Sequence, residues 1–535
     1  MTRVTGSSAT TDVPQPGPVS DPAARPRRIA VAVGAAAMVL VPLERFANFE
    51  WHSDDVAWQV AFRTWRPGAD TLVLTENTYL LRLPLLLAGD AVLPPTTWHL
   101  AALSVVLNVV GWLLVWRFVR EAVAESTGRP LQVPHEIVAV ATSVSVFVIS
   151  ESMRLVNSGL TTRNLETGLY LQALWVVWLC WSGRILLDTR RAALISIAVI
   201  LLGLNDPLFI YSIATPVVAV VALDLLASAT FADRRPPIWR RPLLAGVAIG
   251  VVGWWVIRSG LHLVSVQQRG SGVSVASLRT LPDRLENLAQ VASLASGFDR
   301  IDSGRTWQQA TAVLFGAAIV AVVVGLVRHR RTVSTIVWLA LAWLALLCGL
   351  FLATTAGTEL SGYRYVSVGF GAVSAAAAVV ATRSRLGSAI AVGVALIAVV
   401  GAVVDHVTEW GDNQNLARAE LADTIDDLAR DGHVVGYAGY WSAPIISFLG
   451  RSDTEVLPVR CDAAGRTVPF EWITDLGRFS RTAGARPSFL IIDHTSEATM
   501  CSTGQLVDQY GRPDDIVRVP SSDDYEVWVW DPGDR

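Results

Sequence analysis

The chain has 535 residues, 52% of them apolar and only 17% charged, with a mean hydropathy of +0.43. Soluble globular proteins carry about 25% charged residues, so these figures exclude a disordered chain and argue against an ordinary soluble one. A net charge of −3 gives no global attraction for nucleic acid. All 43 basic side chains are Arg, which suggests a GC-rich, actinobacterial-like source, and four Cys without metal-ligand spacing exclude a disulfide scaffold.

Residues 1–24 are rich in Pro, Ser, Thr and Gly and read as a disordered cytoplasmic tail. Arg25, Arg27 and Arg28 then precede the apolar run 29–43. No small-residue cleavage site follows, so the run reads as a retained first span. A span needs about 20 mostly apolar residues. Further candidates are 97–119, 134–150, 165–183, 192–208, 209–228, 243–260, 309–327, 333–353, 363–381 and 387–404. The pair 192–208 and 209–228 is divided by Asn205-Asp206-Pro207, a tight turn with a helix breaker. Residues 78–93 are apolar but short and contain Arg82, Pro84 and Asp90; they read as an interfacial helix.

Charge placement tests this count of about eleven spans, because cytoplasmic loops concentrate Arg. Arg117, Arg120 and Arg129 follow the second span and Arg184, Arg190 and Arg191 the fourth. Arg234, Arg235, Arg240 and Arg241 follow the sixth, Arg328, Arg330 and Arg331 the eighth, and Arg383 and Arg385 the tenth. The expected protein is therefore a polytopic α-helical protein of the cytoplasmic (plasma) membrane, with its N-terminus inside. Residues 25–404 form the transmembrane domain, with outside loops at 44–96 and 261–308. Residues 405–535 form a small extracytoplasmic α/β domain, with strand-like runs Ser488 to Ile492 and Tyr525 to Trp530 and a charged helical stretch near 413–430. Cys461 and Cys501 are its only cysteines; an oxidising exterior permits a bridge between them, and two free thiols are the other reading.

The first outside loop opens Trp51-His52-Ser53-Asp54-Asp55-Val56-Ala57-Trp58. Ser53-Asp54-Asp55 would serve as helix N-cap and first turn. The same carboxylates would also serve as a general base at the membrane surface. A polar turn, Glu76-Asn77-Thr78-Tyr79, precedes the short apolar segment. Tyr363-Arg364-Tyr365 opens the tenth span at its outside end. Arg holds phosphate groups bidentately, so an Arg on the outside half is a candidate phosphate ligand. Arg364 is the leading phosphate ligand. Arg82, Arg154, Arg163 and Arg258 are further outside cations, Arg154 and Arg163 having Glu151 and Glu166 as expected partners. Asp206 is either a turn residue or a second acid facing the cavity. His52, His99 and His262 read as interfacial hydrogen-bonders, and Gly439-Tyr440-Trp441-Ser442-Ala443 as core packing or a sugar-stacking surface.

The order of a first span, an acidic pair, a polar turn, an interfacial helix and an Arg-terminated second span resembles the GT-C glycosyltransferases, in particular the protein-mannosyltransferase and aminoarabinose-transferase branches. The matching residues are Ser53-Asp54-Asp55-Val56-Ala57, the loop 261–308 with Arg279-Thr280-Leu281-Pro282-Asp283-Arg284, and Tyr363-Arg364-Tyr365. The family's His-Pro-Pro-Leu-Tyr-like turn is replaced by Glu76-Asn77-Thr78-Tyr79-Leu80. The resemblance covers the architecture of residues 25–404. It implies an inverting, polyprenyl-phosphate-sugar-dependent transferase acting on an extracytoplasmic envelope glycan, lipid or protein. Asp54 would be the base and Asp55 the group that orients the acceptor or ligates an optional divalent cation. Arg364, Tyr365, Glu76, Asn77, Arg82, Arg163 and Asp206 would contact substrate. The competing classes are a transporter of lipid-linked sugar or a small solute, expected to show internal repeats and midplane charges, and a non-catalytic scaffold of the same fold. With no Lys there is no Walker motif, and neither H-E-x-x-H nor C-x-x-C occurs.

Overall fold

The computed structural model describes residues 24–48, 56–75, 80–94, 96–129, 131–148, 163–230, 240–264, 266–269, 273–296, 306–358, 362–408, 414–450, 454–481, 487–494 and 500–531. The chain enters through α1 (Ala24–Asn48), α2 (Ala57–Thr64), β1 (Leu72–Thr75) and α3 (Leu83–Val92). The bundle continues with α4 (Thr97–Thr127), α5 (Val133–Val148), α6 (Asn164–Trp181), α7 (Thr189–Asn205) and α8 (Thr215–Thr230), the last led in by the turn Pro207–Phe209 and a π-helical segment Ile210–Ala214. Next come α9 (Arg240–Gly260), β2 (Val266–Arg269), α10 (Leu281–Ser296), α11 (Thr306–Arg328) and α12 (Thr335–Ala353). The short helix α13 (Tyr363–Ser367), α14 (Gly371–Ala381) and α15 (Arg385–Thr408) complete it.

Six of the described helical segments are long and apolar enough to cross a membrane: Trp98–Thr127, Pro207–Leu226, Arg241–Gly260, Thr335–Ala353, Tyr363–Ala381 and Arg385–Val404. Val133–Val148 and Ala312–Arg328 are apolar but shorter. The helices fall where the sequence placed spans; by length and hydropathy alone the count of about eleven is not reached. The interfacial segment is α3, only ten residues long.

Local signals set the helix ends. The Thr96 hydroxyl accepts from His99 N (3.3 Å) to start α4, and Asp188 accepts from Arg191 N (2.8 Å) to start α7. Small residues let helices close up: a Cβ at Gly168 of α6 would stand 2.7 Å from the Gly111 carbonyl oxygen of α4. The main core runs through the bundle, with Trp112, Phe118, Phe147, Tyr170, Phe315 and Trp343 buried in it.

One end of the bundle is rich in arginine. There Arg120 donates to Glu136 (2.9 Å), Arg27 stands 3.3 Å from the same carboxylate, and Arg184 pairs with Glu125 (2.6 Å). The other end carries the C-terminal domain, made of α16 (Gln414–Arg430), β3 (Val435–Gly439), α17 (Ala443–Leu449), β4 (Glu455–Cys461), β5 (Thr467–Pro469), β6 (Thr474–Asp475), α18 (Leu476–Arg481), β7 (Phe489–Asp493), α19 (Thr503–Tyr510), β8 (Asp515–Arg518) and β9 (Tyr525–Val529). Its six-stranded sheet has the order β5-β4-β3-β7-β9-β8, with β4, β3 and β7 parallel and the flanking pairs antiparallel. The expected helix and both expected strand runs are present. Cys461 and Cys501 are disulfide-bonded across a separation of 40 residues.

A second, three-stranded sheet ties the domain to the bundle. Its order is β2-β1-β6, so it takes one strand from each long loop and one from the C-terminal domain. Leu72 pairs with Val266 on one side and Asp475 on the other. Trp58, Leu72, Leu74, Val266, Tyr440 and Ile473 pack around it. A larger shared core joins Val56, Val60, Leu86, Leu100 and Leu165 to Leu421, Ile425, Ile445, Phe448 and Ile491.

Candidate functional site

At the domain end of the bundle, two buried ion pairs are built from α6 and the break between α7 and α8. Arg163, Glu166 and Tyr170 lie at i, i+3 and i+7, one face of a helix. Arg163 stands at the N-cap position, where its guanidinium donates to Asp206 Oδ2. Glu166 takes Arg82 on one oxygen, and its other oxygen accepts from Asn205 Nδ2 (2.9 Å). Asn205 Oδ1 in turn accepts from Leu81 N (3.0 Å), fixing the chain just before α3. Arg82, Arg163, Glu166, Asn205 and Asp206 are all buried, none more than 3% exposed. Charges this deep persist only when paired and hydrogen-bonded.

Asp206 is a turn residue and also stands at a cavity wall. Its backbone is extended (φ −153°), its Oδ1 accepts from Leu208 N (2.9 Å), and Pro207 follows as the first residue of the next helical turn. It also lines a half-open cavity of about 480 Å³ with Tyr211, Thr215, Val275, Thr354 and Tyr365. Two guanidinium groups approach the Tyr365 ring, Arg163 Cζ at 5.0 Å and Arg364 Cζ at 5.4 Å from its centroid. Arg364 is exposed and makes no ion pair or side-chain hydrogen bond among the described residues. The turn that presents it is sterically fixed: a Cβ at Gly362 would stand 1.8 Å from the Ala356 carbonyl oxygen.

The long loop before α11 closes one side of this region. Val275 bridges to Thr354, and Ala276 N donates to the Ala353 carbonyl (3.0 Å). Arg284 is buried and donates to three backbone carbonyls, Leu352, Ser277 (2.6 Å) and Thr280 (3.1 Å), while Asn287 Nδ2 donates to the Gly357 carbonyl (2.8 Å). Below the cavity, the same two helical segments, 207–226 and 335–353, border an apolar groove of about 360 Å³ lined by Ile213, Pro216, Leu339, Ala342, Trp343 and Leu346.

The site residues expected from sequence divide into three groups. Arg163, Asp206, Arg364 and Tyr365 come together at the cavity. Arg82 joins them only through Glu166 and Asn205, as part of the frame. Asp54, Asp55, Glu76, Asn77, Arg154 and His52 lie outside the described residues. One reading needs correction. Arg163 pairs with Asp206 rather than with Glu166, whose two oxygens take Arg82 and Asn205. Tyr440 is 1% exposed and packs against Phe470 (4.9 Å), in keeping with the core-packing reading of its stretch. The sequence reading missed Glu166, Asn205 and Tyr170 as site components; for Glu166 and Tyr170 the signal was the i, i+3, i+7 polar face they share with Arg163 on α6, whereas Asn205 was read only as part of a turn. Arg258 lies over Trp254 (5.4 Å), and His99 packs on Phe448 (5.5 Å). Among the described residues no three His, Cys, Asp or Glu side chains gather as a metal site, and the acidic pair for which a cation was expected is outside them.

The fold is similar to that of ArnT from Cupriavidus metallidurans in the apo state, with a TM-score of 0.53 over 94% of this chain and 97% of that chain. Sequence identity is 14%, so the likeness is one of fold alone. No protein-family model and no curated protein matches the sequence.

Proposed function

We propose that this chain is a membrane glycosyltransferase of the GT-C type. It moves a sugar from a polyprenyl-phosphate donor to an acceptor glycan, lipid or protein of the cell envelope. Residues 25–404 are its transmembrane domain and 405–535 its extracytoplasmic domain. The observation that carries the reading is the shape and polarity of one site: a cavity bordered by Asp206 and Tyr365, the exposed Arg364 against the Tyr365 ring and without an ion pair among the described residues, and an apolar groove leading away along the same two helical segments. A lipid phosphate has that same division, a charged head on a long apolar tail. The charged residues gather at the two ends of the bundle rather than at its middle, which favours surface chemistry over passage.

In this reading Asp54 takes the proton of the acceptor hydroxyl as its oxygen attacks the anomeric carbon. The bond from that carbon to the phosphate oxygen breaks, and polyprenyl phosphate leaves with the charge. Arg364 pairs with that phosphate. Asp55 orients the acceptor or holds a divalent cation, and Glu76 and Asn77 border the sugar. Arg82 and Arg163 already carry carboxylate partners, so they set the local field and position Asp206 and Tyr365.

The test is transfer of label from a panel of radiolabelled polyprenyl-phosphate sugars to envelope acceptors by purified full-length protein. Asp54→Asn should lower turnover by about 10²–10⁴-fold while donor binding persists. Arg364→Gln should weaken donor binding, with Arg364→Lys recovering part of it. Failure of the wild-type protein to bind or transfer from any donor in the panel would sink the reading.

A further inference from the structure

The end of the bundle opposite the candidate site carries guanidinium groups that its carboxylates leave uncompensated. Arg129, Arg328, Arg330, Arg331 and Arg385 are exposed, and their side chains make no ion pair or hydrogen bond among the described residues. The nearby acids are engaged elsewhere: Glu121 lies 3.9 Å from Arg120, Glu125 pairs with Arg184 (2.6 Å), and Glu136 with Arg120 (2.9 Å) and Arg27 (3.3 Å). Arg383 is used differently. Its Nη2 donates to the Thr332 carbonyl (2.7 Å) and the Ser126 carbonyl (3.2 Å), and Ser334 N donates to the Ser126 hydroxyl (3.1 Å). These bonds hold the turns after α4, α11 and α14 against one another. The five arginines without a side-chain partner among the described residues sit on those three turns.

Next to the turns lies a half-open, mostly apolar groove of about 160 Å³, walled by α5, α11, α14 and α15. Ile319, Val322, Val380 and Ile390 line it, and Ala381 and Gly387 lie within two residues of Arg383 and Arg385. We propose that the groove and the three stapled turns form a binding site for an anionic phospholipid. The arginines hold its phosphate, and part of an acyl chain lies in the groove. Guanidinium groups pair bidentately with phosphate oxygens, and basic pockets between membrane helices suit anionic headgroups. A general excess of Arg at one membrane end requires neither the stapling by Arg383 nor an adjoining groove.

The experiment uses detergent-solubilised, delipidated full-length protein, melted in the presence of cardiolipin, phosphatidylcholine or glycerol phosphate. Native mass spectrometry counts the lipid retained. Cardiolipin should raise Tm saturably and stay bound, and phosphatidylcholine should not. The combined variant Arg328→Gln, Arg330→Gln, Arg331→Gln, Arg385→Gln should weaken half-saturation by at least about tenfold. Ala391→Trp fills the groove and leaves every guanidinium in place; it should have the same effect, and it carries the test if the combined variant does not accumulate. Equal stabilisation by phosphatidylcholine, the full shift from glycerol phosphate alone, or unchanged saturation in the groove variant would each overturn the proposal. None of these readouts depends on sugar transfer, so they stand apart from the catalytic reading.

Discussion

At the scale of single residues, the domain end of the bundle separates charges that hold structure from a charge available to a ligand. Arg82 and Arg163 are buried and paired, whereas Arg364 is exposed beside the cavity. Breaking a buried pair from one side leaves an uncompensated charge and costs about 3–5 kcal/mol, whereas replacing both partners by apolar groups is often neutral. Glu166→Gln is therefore expected to lower stability in detergent by an amount in that range, and Glu166→Leu combined with Arg82→Met to recover most of it. Thermal melts of the three proteins decide the matter; a single variant as stable as wild type would show that the pair contributes nothing net. These charges were partly legible in the sequence. Arg82, Arg163 and Asp206 stood out as polar residues at the ends of apolar runs. Their partnership did not, because Asn205 decides it by occupying one Glu166 oxygen from another helix.

At the scale of elements, apolar runs and Arg placement gave nearly every helix, since burial in a bundle or bilayer is written along the chain with a helical period. The strands β1 and β2 were read only as loop. Four residues carry no periodic signature, and their pairing joins segments far apart in sequence. The approach of the 354–358 turn to α13 was equally invisible, because it depends on one missing Cβ. Gly362→Ala would bring a methyl group to 1.8 Å from the Ala356 oxygen, so the turn must move. Arg364 and Tyr365 move with it. The expected outcome is a loss of donor affinity comparable to that of Arg364→Gln, with α12 and α14 still folded. Donor binding and circular dichroism on the same sample would check it. Unaltered affinity would mean that the turn yields without carrying Arg364 along. The disulfide between Cys461 and Cys501 acts on a different element. Closing a 40-residue separation is worth about 4 kcal/mol in the chain-entropy model, and it ties the end of β4 to the start of α19.

At the scale of the whole molecule, the C-terminal domain reads in sequence as an appendage, a soluble segment after the last span. Its packing is that of an integrated part. The small sheet β2-β1-β6 needs a strand from each of the two long loops and one from the domain, and the core around Val56, Leu100 and Leu165 is completed by Ile425, Ile445 and Phe448. Removing residues 409–535 would expose those side chains and the edge of β1 together. Each large apolar side chain returned to water costs about 1.5–3 kcal/mol, and several are involved, against a total stability of about 5–15 kcal/mol for a typical protein. The truncated chain is thus expected to aggregate or be degraded rather than persist as a free membrane domain. Co-expression of residues 409–535 as a separate chain, directed to the side of the membrane proposed above, should restore it, because the contacts are noncovalent and the break falls between α15 and α16. Fluorescence-detected gel filtration of a tagged membrane part, with and without the second chain, reads both outcomes. A monodisperse truncated protein on its own would show that the bundle and its loops hold their shape unaided, and that the shared core with the domain is not needed for it.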